Sequence, residues 1–440
     1  MKHLIISLFT VFLSIGNLYS QEKSRIIVTT DLGGTDPDDI QSMIHLLVCS
    51  DVIDIEGIIS QLAWIPAPDN TTAIKDIIDQ YDKVLPNLRK HSSDFPSAEY
   101  LKSITVQGQK VPHMDGVGNG LDSPGSDLII KVVDDKQDPR PVWLVAWGGM
   151  NTIAQAIWKV KNTRNNREFT TFANRIRIYD ILGQDDSGAW IAKNFPEILY
   201  IRNKEVYGWA PDDQWIKSNI QKKGPLGSIY PDRRWATEGD SPSFLYLCNN
   251  GLNTPEHPEY GGWGGRFSPT KQKNIRGMDF IEKSNKSESV YDDYYMIASS
   301  KEGIEAINRW KRHIYNDFAA RIAWSVSPEY EMANHHPKPA ILNDDSTAPL
   351  YIKASAGDTL SLDASGSFDP DGDSLNFNWS FYSDPSPYNG NLEITNANNS
   401  DLNLKIPTEA KGKTIHLVLE VTDNGQPNLT SYKRVVVSVK

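Results

Sequence analysis

The sequence predicts an α/β fold: an open, mostly parallel sheet with helices on both faces, followed by a small all-β sandwich. Short β-branched runs alternate with longer stretches of helical periodicity between residues 26 and 201, which is the rhythm of βαβ units. The runs that end at Asp31, Trp147 and Leu182 each give way to a polar, glycine-containing turn, as strands of such sheets do at a ligand crevice. Beyond residue 345 the pattern changes to period-two strands separated by turn clusters, which predicts the sandwich.

The first domain is organised around residues 25–47, RIIVTTDLGGTDPDDIQSMIHLL. Ile26, Ile27 and Val28 make a strand, Gly33 and Gly34 a turn, and Met43, Ile44, Leu46 and Leu47 one apolar side of a helix. Residues 53–59 read as a second strand, and Ile74, Ile77, Ile78, Tyr81 and Leu85 recur at helical spacing across 71–88. A loop rich in Gly and Asn follows at 113–122, then a helix at 127–133 and a strand at 141–147 that stops at Gly148-Gly149-Met150-Asn151-Thr152. A helix at 153–160 leads to strand 176–182, polar loop 183–188, helix 189–194 and strand 198–201. Residues 207–266 carry Trp209, Trp215, Trp235, Tyr260 and Trp263 among too many glycines and prolines for a regular element, and long structured loops of this kind often act as lids. Trp and Tyr faces suit sugar rings, which makes Trp263 and Arg266 candidate substrate contacts. A final helix spans 304–324 and includes Asp317 and Arg321.

Four carboxylates, Asp31, Asp36, Asp38 and Asp39, fall within nine residues at the first strand–helix junction. Like charges 4 Å apart repel by roughly 4 kcal/mol at an intermediate dielectric, so something positive belongs among them. A helix N-terminus, with Asp36 as an N-cap before Pro37, accommodates one or two of the acids. It leaves out Asp31, which closes the strand across the turn, and a divalent cation is the better account of the whole group. Oxygen-only ligands favour Ca²⁺ or Mg²⁺ over zinc.

Residues 1–20 read as a cleavable secretory signal: a basic start, an apolar run from Leu4 to Ile15 too short to span a bilayer, and a polar exit. No Cys follows that run, so no lipid anchor is expected, and the product is expected to be secreted or periplasmic. The boundaries that follow are an α/β domain at 21–334, a proline-rich linker at 335–345 whose His335 and His336 read as solvated, and a β domain at 346–440. The formal charge of −11 becomes −12 once Lys2 is removed, which argues against nucleic-acid polymers and anionic membranes as partners. Cys49 reads as a buried small hydrophobe, and nothing in the spacing supports a bond to Cys248. The oligomeric state stays open, a homo-oligomer included.

The order of these motifs resembles the calcium-dependent nucleoside hydrolases, N-ribohydrolases with a DxDxGxDD loop after the first strand. Asp31, Gly33 or Gly34, Asp38 and Asp39 match that loop's second Asp, Gly and final Asp pair. Residues 113–121 are similar to the family's HGxDGLG loop, GGMNTIAQAI from Gly148 to its GPLTNIA turn, and Asn316-Asp317-Phe318-Ala319-Ala320 loosely to its late HDPLA element. More closely, the mature chain resembles a bacterial secreted family described as cellulose-binding proteins with a nucleoside-hydrolase-like domain. TTDLGGTDPDD, GQDDSGAW and NNGLNTPEHPEYGGWGGR carry that resemblance. ASGSFDPDGDSL and VTDNG are similar to the PKD or cadherin-like domains, immunoglobulin-like sandwiches whose DPDGD turn sometimes holds calcium. Thr29 replaces the hydrolase motif's first Asp, three residues are inserted before the Asp pair, and Met150-Asn151-Thr152 stands in place of LTN.

The resemblance implies a nucleoside-hydrolase-like glycosidase acting on an N-glycosyl or related bond of a nucleoside-like substrate or another carbohydrate. Ca²⁺ held by Asp31, Asp39, a backbone carbonyl near Asn151 and Asp317 would activate a water, with Asp31 as general base. Asp38, Asn119, Gln184 and Asp185 would hold sugar hydroxyls, and His257 or His113 would protonate the leaving group. The competing expectation is a non-catalytic protein that binds cellulose or another glycan on a hydrolase fold. A phosphatase with an Asp nucleophile wants a second acid two residues after Asp31, where Gly33 stands.

Overall fold

A computed structural model describes residues 22–34, 36–61, 68–272 and 294–440 of the chain. The expected signal, residues 1–20, lies outside the described residues.

Eight strands form the central sheet: β1 (Ser24–Thr30), β2 (Ile53–Ser60), β3 (Thr105–Gln107), β4 (Val142–Ala146), β5 (Ile176–Ile181), β6 (Leu199–Asn203), β7 (Phe267–Gln272) and β8 (Tyr294–Ser299). Their order is β3-β2-β1-β4-β5-β6-β8-β7, and every neighbouring pair is parallel except β7 with β8. The chain runs outward from β1 through β2 to β3, then returns to the other side of β1 as β4. The β1/β4 pair is therefore the switch point, where connections diverge and a crevice opens at the carboxyl ends. Register sets the level of that crevice: Arg25 pairs with Val142 and Thr29 with Ala146, and Trp147 N donates to Thr29 O at 2.8 Å.

Both faces of the sheet are covered, so the central strands read as unbroken apolar runs. β1 sends Ile26 and Val28 into the layer that holds helices Asp38–Val48, Thr71–His91 and Lys311–Trp324. Ile27 goes to the opposite layer, with helices Asn151–Thr163 and Asp186–Asn194. The helix expected across 304–324 is two pieces, Glu305–Asn308 and Lys311–Trp324. They break at Trp310, whose ring packs edge-on against Tyr382 and Tyr432 of the second domain. Among the described residues no helix is long and apolar enough to cross a membrane.

The second domain contains β9 (Leu350–Ala354), β10 (Thr359–Asp363), β11 (Asn376–Phe381), β12 (Asp401–Lys405), β13 (Thr414–Thr422) and β14 (Thr430–Val439). One sheet pairs β10 with β12; the other has the order β11-β13-β14-β9. The pairing is antiparallel save for β9, which lies parallel to β14 at the edge of the larger sheet. Trp379, Leu402, Leu404, Leu417, Leu419, Val435 and Val437 fill the space between the sheets.

The connector is not a solvated spacer. His335 is only 5% exposed; it stacks on Tyr330 with ring centres 3.7 Å apart, sits 3.0 Å from His91 and 2.9 Å from Asp371. His336 Nε2 lies 2.9 Å from Asp317 Oδ1. Ring stacking and charged partners on both domains hold these histidines in place of water. Arg434 of β14 is likewise buried, donating to Leu252 O and Gly261 O of the first domain.

Candidate active site

Asp31 follows β1 directly, and the chain turns at once: Gly34 N donates to Asp31 O at 2.8 Å, with Gly33 at φ 95°, a left-handed conformation that glycine adopts at little cost. Pro37, not Asp36, occupies the cap of helix Asp38–Val48. Asp36 reaches across instead, its Oδ2 accepting from Ala236 N at 3.3 Å. Thr30 Oγ1 donates to Asp39, and Leu32 N donates to Thr30 Oγ1 at 3.1 Å, which fixes the acid pair against the strand end.

The residue that completes the acidic group is Asp240. Ligating oxygens of Asp38, Asp39 and Asp240 all lie within 4.8 Å of one another, and the Asp31 carboxyl is in hydrogen-bonding contact with Asp39. Asp31, Asp39 and Asp240 are 5%, 4% and 3% exposed. Burial, then the neighbouring carboxylates, pushes Asp38, Asp39 and Asp240 well above the usual carboxylate range, and burial raises Asp31 to about 7. Two carboxyls in contact need a shared proton or a cation between them. Asp240 Oδ2 is buried without a hydrogen-bond partner, and every donor atom here is oxygen, so the group fits a hard dication of the calcium class.

Loops after β4 and β5 close the other side. Gly148 lies against the Asp31 side chain, Met150 N donates to Asp185 Oδ2 at 3.0 Å, and Gln184 Nε2 donates to Trp147 O at 2.6 Å. Asp186 Oδ1 takes Met114 N at 2.9 Å, which brings the 113–116 turn to the same place. Asp185, wholly buried, is raised to about 8 by burial and then by Asp186 and Asp180. The Asn151 side chain is committed to scaffolding: Nδ2 donates to Val111 O at 2.7 Å and Oδ1 accepts from Gln61 Nε2 at 2.9 Å. At the rim, Tyr207 and Trp235 are 48% and 62% exposed. Burial and the charges of Asp38, Asp240 and Asp36 push Tyr207 to about 12, and Arg234 stacks over Trp235 at 4.3 Å.

The sequence-predicted residues thus divide. Asp31, Asp38, Asp39, Gln184 and Asp185 gather here, with Asn151 behind them and Asn119 on an exposed turn beyond Gly118, whose N donates to Gln155. Asp317 does not join: Arg321 Nε lies 3.0 Å from its carboxylate and His336 2.9 Å away, and that charge holds it below the usual range against the cost of burial. His257 is at the wrong end of the sheet, because its neighbour Glu256 binds Arg177 near the start of β5 and its own ring stacks on Tyr260. Trp263 is buried with its Nε1 on Tyr432 OH, and Arg266 is held by Glu302 ahead of β7, the edge strand five places from β1. His113 is buried at φ 59° in the 113–116 turn. Sequence reasoning missed Asp240: it stands directly before Ser241-Pro242 at the start of helix Ser241–Leu245, where an acid looks like any other helix-start residue.

Fold and site together define an α/β domain of nucleoside-hydrolase type, with an acidic crevice at its switch point. Residues 25–267, more than half of the chain, match the family model "Cellulose-binding Sde182, nucleoside hydrolase-like domain", and residues 359–439 match "Cellulose-binding protein Sde0182, C-terminal domain". The chain belongs to this Sde182 cellulose-binding family. A solved structure described as a nucleoside hydrolase-related hypothetical protein from Saccharophagus degradans, associated with carbohydrate metabolism, is 49% identical, covers 95% of this chain and 100% of its own, and superposes with a TM-score of 0.90. A PKD domain from the KIAA 1837 protein aligns at 24% identity over 21% of this chain and 79% of its own, with a TM-score of 0.17 that carries no weight for the fold. No curated protein matches the chain.

Proposed function

We propose that the chain is an exported hydrolase that cleaves a glycosidic bond, of the N-glycosyl or a related kind, in the acidic crevice beside β1. The observation that carries this reading is the convergence of buried Asp31, Asp39 and Asp240 and half-buried Asp38, all resistant to ionisation, on one point at the β1/β4 switch. Asp31, Asp39 and Asp240, with Asp38 at their edge, would hold a calcium-class ion, which when bound makes a neighbouring water more acidic. Asp31 takes a proton from the attacking water as general base, held in line by Gly148 on one side and Asp39 on the other. Attack falls on an anomeric carbon with oxocarbenium character. Asp38, the least buried of the four, accepts from sugar hydroxyls, and the Tyr207 and Trp235 rings offer faces to the sugar or its leaving group.

A second reading, glycan binding without turnover, is favoured by the cellulose-binding description of the family and by exposed Trp235. One experiment separates them: a panel of nucleosides, glycosides and oligosaccharides is assayed for free base or reducing sugar beside a pull-down on insoluble cellulose. Turnover that disappears in Asp31→Asn while the fold persists supports the hydrolase. Retention on cellulose with no product from any substrate overturns it in favour of the binder.

A further inference from the structure

Behind the acidic crevice the same helix carries a second cluster of different chemistry. His45, and Cys49 one turn later at the helix C-cap, face Asp317 of helix Lys311–Trp324. A His45 ring nitrogen, Cys49 Sγ and an Asp317 oxygen all lie within 4.8 Å of one another. The Cys248 thiol contacts that of Cys49, and both are free. His45, Cys49, Asp317 and Cys248 are 1%, 0%, 3% and 5% exposed.

The imidazole is held rigidly. Its Nδ1 lies 2.7 Å from Glu238 Oε2, and its face stacks on Phe318 with ring centres 3.8 Å apart. Glu238 is itself fixed by Tyr230 OH at 2.7 Å and by its own N donating to Gln41 Oε1 at 2.9 Å. That leaves Nε2 for the cluster, buried and turned toward the Cys49 sulfur. A carboxylate on one ring nitrogen and soft ligands beside the other is the second-shell pattern of metal-binding histidines.

We propose that His45 Nε2, Cys49 Sγ and the Asp317 carboxylate, joined by the Cys248 thiol that touches Cys49 from outside this group, form a buried structural site for a zinc-class dication, separate from the oxygen-only crevice. One nitrogen, two sulfurs and one oxygen suit a tetrahedral, borderline-soft ion, whereas four carboxylates suit a hard one. Two thiolates balance the dication, and Arg321, 3.0 Å from Asp317, balances the carboxylate. The ion is taken up during folding, since no ligand is open to solvent. It would tie the helix that begins with Asp38 and Asp39 to the segment three residues past helix Ser241–Leu245, which follows Asp240. Both halves of the crevice would then rest on one brace.

The test uses the full chain, freed of any affinity tag and produced in zinc-depleted, cobalt-supplemented medium. Cys49 and Cys248 are its only cysteines, so a thiolate-to-cobalt charge-transfer band has no other source. The expected result is one sulfur-ligated cobalt per folded chain, with the band lost in Cys49→Ser and unchanged in Asp240→Asn. Where the serine variant does not fold, wild type alone decides. A folded wild type without the band, or one recovered with a Cys49–Cys248 disulfide, overturns the proposal.

Discussion

A Cβ placed on Gly148 would stand 2.9 Å from the Cβ of Asp31 and 3.0 Å from its Cγ, so the turn after β4 lies directly on the side chain that closes β1. Both contacting atoms belong to a short side chain hemmed in by Asp39, and there is nowhere for it to swing. Gly148→Ala should therefore cost about 1–3 kcal/mol in stability, as overpacking does. Through an ångström-scale displacement of Asp31 it should cost on the order of 10²-fold in turnover. Thermal melts and steady-state kinetics check the two effects separately; a variant that melts lower but turns over normally would remove Asp31 from the reaction.

The acidic cluster makes a prediction that reverses sign with calcium. With the ion chelated, burial and mutual repulsion disfavour the charged carboxylates, so Asp240→Asn should melt higher than wild type. At calcium 100-fold above its dissociation constant, wild type should gain about 2.7 kcal/mol while the variant, short of a ligand, gains little. Differential scanning calorimetry in chelator and in calcium reads both arms. Identical shifts in the two proteins would place the ion elsewhere.

Two substitutions distinguish the crevice from the opposite end of the sheet. His257→Ala should leave kcat/KM within about twofold, since the ring stacks on Tyr260 beyond the start of β5 and an exposed contact of this kind contributes little. Trp235→Ala should raise KM, or the dissociation constant for an oligosaccharide, by roughly tenfold, the scale of one lost aromatic contact. Reversed results would move the substrate to the far end of the molecule.

Why Asp31, Asp38 and Asp39 could be read from the sequence while Asp240 could not is a matter of distance along the chain. The first three share one strand–turn–helix unit, where β-branched periodicity, Gly-Gly and Pro37 locate each of them. Asp240 arrives from a loop some two hundred residues later and is recognisable only through its contact with Asp38 and Asp39. The Asp317 expectation failed for the complementary reason: from the sequence alone, an acid on a helix looks the same whether it reaches the crevice at β1 or lies behind it beside Arg321 four residues on, and only the fold shows the latter. The parallel strands from 26 to 203 were legible because burial on both faces leaves continuous apolar runs. β3 is three residues long, too short for any period, and the parallel β9 alternates just as an antiparallel strand would.

The junction of the two domains carries a pH dependence of its own. His416 of β13 is 2% exposed, and Tyr260 packs edge-on against it at 4.5 Å. Burial first, then Arg434, lowers it from 6.5 to about 3, with Glu259 opposing and His257 adding to the shift. Between those two values the unfolded chain binds a proton that the folded chain refuses, so stability rises with pH: the contribution is complete above 6.5 and is lost as pH falls toward 3. Going from pH 7 to pH 5 should cost about 2 kcal/mol through this residue alone. Other groups titrate in the same window. The measurement is therefore the difference between wild type and His416→Gln in denaturant unfolding at the two pH values. The variant should lose less stability on acidification, with chemistry at the distant crevice unaffected; equal losses would show that His416 takes up its proton without disturbing the fold.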